Sequence, residues 1–182
     1  MLDLFKNESE RIDSRILEQA CGEGNFLVQI LSRKLATVQY KYRQNEFERY
    51  HHGLLALMSS YGIELLEDNV QICRENLMKL FKTFIGPEQP YPWYEAARNV
   101  LATNIIQADA LTMTDSNGKS IRFPEWSYLG LGKYQRRDFD FGDLTQRSAF
   151  SGTLFDSYET DQLFPPRKIY GQLTVNDIAK LQ

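Results

Sequence analysis

What the chain has little of limits it first. Its 182 residues include only two cysteines, Cys21 and Cys73, without the paired spacing of a zinc site or of a secreted disulfide framework. A reducing, cytoplasmic setting is the expectation. No run of about 20 apolar residues is present, and Met1 to Phe5 leads straight into Lys6-Asn7-Glu8, so neither a membrane-spanning helix nor a secretory leader is expected. Basic residues are not in excess: 21 Lys and Arg stand against 24 Asp and Glu, which argues against a stand-alone nucleic-acid binder. Internal repeats and low-complexity tracts are missing too. With 42% hydrophobic residues the composition is that of one globular domain, long enough to bury roughly two-thirds of the surface its unfolded form exposes.

What is present is an alternation of strand and helix signals. Ser14 to Glu18 reads as a short apolar strand entering a turn at Gly22-Glu23-Gly24, and Asn25 then precedes apolar residues at helical spacing from Phe26 through Val38. Glu46 to Met58 reads as a second helix. Tyr61 to Leu65 makes another buried strand, and Glu67-Asp68-Asn69 opens a helix with Val70, Cys73, Leu77, Leu80 and Phe81 on one face. A proline-rich breaker from Gly86 to Pro92 separates it from a helix at Trp93 to Leu101 and a strand at Asn104 to Asp109. Repeated β-α units predict an α/β fold, a mostly parallel sheet with helices on both faces.

After Asp109 the periodicity fades. Asn117-Gly118 between Met113-Thr114 and Ile121-Arg122-Phe123 predicts a tight hairpin, since both central residues can take positive φ. From Trp126 to Gln172 long loops are expected, with one short strand near Phe139-Asp140-Phe141. Thr174 to Leu181 reads as a capped helix that stops within two turns.

Chemistry concentrates at the first turn. Glu18 stands at a strand end, and Gly22 and Gly24 let the backbone approach a ligand whose anionic group would meet the N-terminus of the following helix. A dinucleotide fingerprint wants Gly or Ala where Leu27 stands, which disfavours NAD and leaves an adenosine without a pyrophosphate.

Three segments together resemble the class I S-adenosylmethionine-dependent methyltransferases, and specifically the adenine-N6 DNA methyltransferase (M) subunits of restriction-modification systems. Leu17 to Leu27 is similar to their first motif, Tyr61-Gly62-Ile63-Glu64 to the acidic second, and Asn104 to Leu111 to the third. The resemblance covers residues 12–112 and implies a Rossmann-like core over 1–112 with a hairpin and loop-rich extension of the same domain over 113–182. It implies S-adenosyl-L-methionine as cofactor, with Gly22 and Gly24 against its methionine part, Glu18 facing the ammonium, Glu64 the ribose hydroxyls and Asp109 the adenine amino group. Ala20, Asn25, Phe26, Leu65 and Ala110 would complete the pocket. DNA is the implied acceptor, reached directly or through a partner subunit.

The chain departs from that pattern at named places. Gln19 stands where the family has Pro, and Glu23 replaces a small residue. No Asn- or Asp-Pro-Pro-aromatic sequence is present, and Phe164-Pro165-Pro166-Arg167 lacks both its polar first residue and its aromatic last. In adenine-N6 enzymes that sequence would hold the target amino group against the methyl donor. A cofactor-binding or structural subunit serving a partner chain is therefore the alternative. At the N-terminus only Met1-Leu2-Asp3-Leu4 could stand for a cofactor-clasping segment, and the sheet is expected to be incomplete. Other residues carry blander expectations. Lys133-Tyr134-Gln135-Arg136-Arg137 is a solvated loop or a phosphate contact, His51-His52 faces solvent, and Cys21 packs. Tyr91, Trp93 and Tyr94 are expected to pack and not to line a pocket.

Overall fold

The computed structural model describes residues 11–87, 91–150 and 164–181. The chain alternates strands and helices over its first part: β1 (Ile16–Glu18), α1 (Asn25–Lys41), α2 (Glu46–Met58), β2 (Ser60–Glu64), α3 (Glu67–Ile85), α4 (Tyr91–Asn104) and β3 (Ile105–Asp109). β4 (Thr114–Asp115), β5 (Arg122–Gly130), β6 (Lys133–Asp140), α5 (Phe141–Phe150), β7 (Lys168–Ile169) and α6 (Val175–Ile178) follow. Two sheets result, one ordered β1-β2-β3-β4 and one ordered β5-β6-β7. In the first, β1, β2 and β3 run parallel and β4 antiparallel. This is an α/β fold with a mixed, mostly parallel sheet.

The helices form where the apolar spacing predicts them. Along α3 the buried residues are Val70, Cys73, Leu77, Phe81 and Ile85, one stripe at helical period, whereas Leu80 lies beside it and is only partly buried. Asn45 caps α2 by accepting from the Glu48 N–H at 3.1 Å. Gly86 ends α3 at φ 91, a backbone that a side chain would strain. Helix α4 begins two residues before the expected Trp93 because Pro92 fits a first turn, where its missing N–H costs nothing.

Paired residues in a parallel ladder share a face, so the register puts Glu18, Gly62, Glu64, Ile105, Gln107 and Asp109 on one side of the sheet and Leu17, Tyr61, Ile63, Ile106 and Ala108 on the other. Helices α1 to α4 share one core with the first side. The second side is covered by Phe123 of β5 and by Phe141 and Leu144 of α5. Helices thus lie on both faces, but on the second side α5 shares the covering with a hairpin strand, anchored by the Tyr61 hydroxyl donating to Pro124 O at 2.8 Å.

The expected long loops from Trp126 onward are overturned. Strands β5 and β6 pair from Arg122↔Asp140 to Gly130↔Lys133, with a bulge beyond Tyr128. Leu131 (φ 51) and Gly132 (φ 74) close them in a two-residue turn of the primed type. At Asn117-Gly118 the expected hairpin is present through the Thr114↔Ser120 bridge, but of those two residues only Gly118 takes positive φ. Phe139 and Asp140 lie in β6, while Phe141 opens α5. Near the end, Thr174 and Asp177 form a reciprocal capping box on α6, as the sequence predicts.

Two buried polar side chains tie the layers together. The Lys34 ammonium donates to Ser14 O and Ser59 O and Oγ, joining the approaches to β1 and β2, and burial pushes its pKa down to about 8. The Asn104 amide donates to Met58 O at 2.9 Å and Ser60 O at 3.1 Å, and its oxygen accepts from the Trp126 indole at 3.2 Å. Asn104 therefore ends α4, where the sequence reading starts a strand.

Candidate functional site

The three acidic residues singled out in the sequence end three adjacent parallel strands. Glu18 is level with Gly62, and Glu64 is level with Gln107. On one face of the sheet, Glu18, Glu64 and Asp109 therefore form a staircase, each step one strand across and two residues up. With roughly 3.3 Å per residue and 4.8 Å between strands, each step spans roughly 8 Å and the flight roughly 16 Å. Such a flight accommodates an extended ligand with three polar groups, at the carboxyl edge where open α/β sheets bind ligands.

The glycine turn closes over the lower two steps. Gly22 (φ 52) and Gly24 (φ 82) both take left-handed backbone, and Gly24 is the N-cap of α1 with no side-chain capping bond. A Cβ on Gly24 would stand 2.5 Å from Cys73 Sγ, so glycine is required there for packing as well. Glu64 joins the turn to the second step: its Oε2 accepts from the Gly22 N–H at 2.9 Å, and its Oε1 accepts from the Leu66 N–H at 3.0 Å and the Asn69 amide at 3.4 Å. Burial acts to raise its pKa, but those donors outweigh it and hold the carboxyl below the usual range.

Glu18 is the opposite case. Its Oε2 is buried and has no hydrogen-bond partner among the described residues, and burial raises its pKa. A buried acceptor left unmatched costs free energy unless a donor or cation meets it. At the top of the flight, Asp109 Oδ1 accepts from the Leu111 N–H at 2.8 Å and the Thr112 N–H at 3.5 Å, which folds the chain back after β3.

The remaining pocket residues are placed unevenly. Ala20 and Asn25 are exposed at the turn, Phe26 packs against the helical core, Ala110 packs against the core of the other face, and Leu65 is 64% exposed beside Glu64. Among residues the sequence reading passed over, Asn69 bonds Glu64, Gln107 donates to Leu65 O at 3.1 Å, and Leu66 and Leu111 stand exposed at 59% and 94%. Leu65, Leu66 and Leu111 give the upper steps apolar lips, the setting a flat aromatic ligand uses. Only the leucines could have been noticed earlier, as apolar residues where loops were expected.

Gln19 turns away from the staircase. It lines a cavity of about 430 Å³ on the second face, together with Leu17, Tyr61, Phe123 and Phe141. Glu23 is exposed, and its carbonyl accepts from the Asn76 amide at 3.1 Å.

The other singled-out residues take structural roles. His51 is buried, with Nδ1 2.7 Å from the Tyr134 hydroxyl, and His52 is half-buried with a ring nitrogen 3.0 Å from the Tyr42 hydroxyl, so the expected solvent-facing pair is corrected. Burial first, with His52 nearby, pushes His51 down to about 4 despite Glu48. The basic run at 133–137 is strand and not loop. Arg136 pairs with Asp138 and lies over the Trp126 and Tyr170 rings, Arg137 pairs with Glu125, and Lys133 donates to Gln172. Its arginines are therefore engaged within the fold. Trp93 and Tyr94 pack as expected, whereas Tyr91 is 73% exposed. Residues 1–4 lie outside the described residues. Among the described residues no helix is long and apolar enough to cross a membrane, and no group of three metal-ligating side chains converges. No family model matches the chain, and neither a curated protein nor a solved structure matches it.

Proposed function

We propose that this chain is the S-adenosyl-L-methionine-binding module of a DNA adenine-N6 methyltransferase of restriction-modification type, built on a Rossmann-like core. The observation that carries the reading is the acidic staircase with an unmatched carboxylate at its foot. Glu18 offers a buried oxygen, unpartnered among the described residues, which an ammonium would satisfy. Glu64, one step up, is held ionised and has one lone pair on Oε2 left for a ribose hydroxyl, and Asp109 stands where an amino group would arrive after the sugar. The order of ammonium, ribose and adenine required by the cofactor is the order of the steps.

When bound, the cofactor's sulfonium supplies an activated methyl group, so no metal is required. The chain's own residues bind and orient: the glycine turn admits close approach, Glu64 fixes the turn against β2, and Leu65 and Leu111 exclude water from a ring.

A second reading, a cofactor-binding subunit that depends on a partner chain, is favoured by one further observation. The connections from β1 to β2 to β3 all step the same way, and among the described residues no strand pairs with the outer edge of β1. Ligand crevices in open α/β sheets form where the strand order reverses, and a strand added beside β1 would create that reversal at the glycine turn. Together with the missing Pro-Pro-aromatic sequence, this points to DNA being reached through another subunit of a restriction-modification assembly.

Calorimetric titration with S-adenosylmethionine tests the binding. The wild type is expected to bind, and Glu64→Ala to bind about tenfold or more weakly, the loss of roughly 1.5–3 kcal/mol for hydrogen bonds to a charged group. A folded wild type that takes up no cofactor overturns the reading. Methyl transfer to DNA by the chain alone would decide against the partner-dependent form.

A further inference from the structure

We propose that the cavity on the second face of the sheet is a ligand site of its own, separate from the staircase, and that it takes a planar aromatic carboxylate with a hydrogen-bonding group at its far end. Its volume of about 430 Å³ falls within the range of small-molecule pockets, about 300–1,000 Å³. Close-packed interiors leave few voids wider than a water molecule, so a hollow of that size against the sheet is room for a guest.

The walls select the body of the ligand. Tyr61 meets Phe123 edge to face with ring centres 5.5 Å apart, and Phe123 meets Phe141 in the same way at 5.7 Å. All three line the cavity, and such a series of crossed rings suits a further flat ring. The Tyr61 hydroxyl is already committed to Pro124 O, which leaves its ring as the wall. Leu17 and Leu144, both half-buried, complete the apolar lining. A rigid ring also loses less freedom on entering than a flexible chain does.

The ends select its polar groups. Arg15, Leu17 and Gln19 alternate along β1 onto the second face, so a guanidinium and an amide flank the apolar wall. At about 3.3 Å per residue their backbones stand roughly 13 Å apart. Glu125, also in the lining, accepts from both Arg15 and Arg137, so two guanidiniums meet one buried carboxylate and a positive charge is left over. Arg15 reaches Glu125 through Nη1, and its Nε and Nη2 have no partner among the described residues. Its side chain is 54% exposed, so an incoming carboxylate can take up the free side of the fork with the Glu125 bond intact. At the other end Gln19, which the cofactor reading leaves without a role, supplies a donor and an acceptor for a hydroxyl or amine.

The test is calorimetric titration of the full chain with 4-hydroxycinnamate, beside its neutral counterpart 4-hydroxycinnamyl alcohol and the alkyl acid decanoate. Saturable binding of the aromatic acid is expected, with the alcohol about tenfold weaker for want of the charge-assisted hydrogen bonds, and decanoate weaker through loss of the ring contacts. Leu144→Trp, which fills the cavity from α5, should abolish binding with an unchanged far-ultraviolet spectrum. Arg15→Lys keeps the charge but not the fork, and should weaken the acid about tenfold while leaving the alcohol unchanged. That second variant decides the matter if the first fails to fold. The site lies on the face opposite Glu18, Glu64 and Asp109, so excess S-adenosylmethionine is expected to leave the affinity for the acid within about twofold, whether or not the cofactor itself binds. No uptake of 4-hydroxycinnamate by the folded chain, equal affinity for the alcohol, preference for decanoate, or undiminished binding by either folded variant would overturn the proposal. Displacement of the acid by S-adenosylmethionine would overturn it too, by placing the acid on the staircase.

Discussion

The parallel part of the molecule and the antiparallel hairpin are held by different forces. Around β1, β2 and β3 the core is apolar and deep: Leu27, Ile30, Leu31, Leu54, Leu77 and Phe81 all have no exposed surface. Along β5 and β6 much of the holding is done by charge. Glu125, 7% exposed, is bridged by Arg15 and Arg137, Arg136 pairs with Asp138, and Asp140 is shared by Arg122 and Arg167. Burial acts to raise the Glu125 carboxyl, but the two guanidiniums hold it below the usual range. The lesson is one of tolerance. An apolar core degrades gradually as methylenes are lost, whereas an ion network fails when one member leaves its partners uncompensated.

That contrast can be tested from its strongest point downward. Phe81→Ala, in the middle of the α3 stripe, is expected to cost about 3–5 kcal/mol in unfolding free energy through lost burial and the cavity left behind. Urea denaturation followed by circular dichroism checks it, and a loss under 1 kcal/mol, roughly the cost of an exposed site, would mean that the apolar half is not the main source of stability. Next comes the joint between the halves, where His51 on α2 meets Tyr134 on β6. Its pKa falls from 6.5 to about 4 on folding, so the unfolded chain binds the extra proton first as pH drops. The stability is fully present above pH 6.5 and is lost between there and about pH 4, about 3 kcal/mol in all. His51→Gln should flatten that stretch of the stability profile measured by denaturant melts. The smallest effect is in the hairpin: Glu125→Gln is expected to cost about 2 kcal/mol, below the range for fully buried pairs because Arg15 is half exposed to water. High salt should reduce the wild-type advantage there and leave the Phe81→Ala cost almost untouched.

The same contrast explains what was legible in the sequence. The α3 stripe and the glycine turn announce themselves because one kind of neighbour, the sheet, sets their period. β6 gives no such signal: Arg136 and Asp138 point the same way as buried Tyr134, and their hydrogen bonds replace an apolar alternation. Its turn was hidden for a separate reason, since Leu131 occupies a left-handed position usually marked by Asn or Gly. At the candidate site, Glu18, Glu64 and Asp109 could be named from strand ends alone. Their staircase could not, because it depends on the register between strands. Nor could the turn-to-Glu64 bond, which links residues distant in sequence.

Asn104 has a consequence for how the chain assembles. Its amide answers the last carbonyl of α2, the first carbonyl of β2 and the Trp126 indole at once. Slide the hairpin by a single residue and the indole N–H, now buried and unanswered, rejects the arrangement at a cost of about 1–3 kcal/mol. A slipped pairing thus has no shallow basin in which to linger, and one amide works as the proofreader for the seating of a whole sheet.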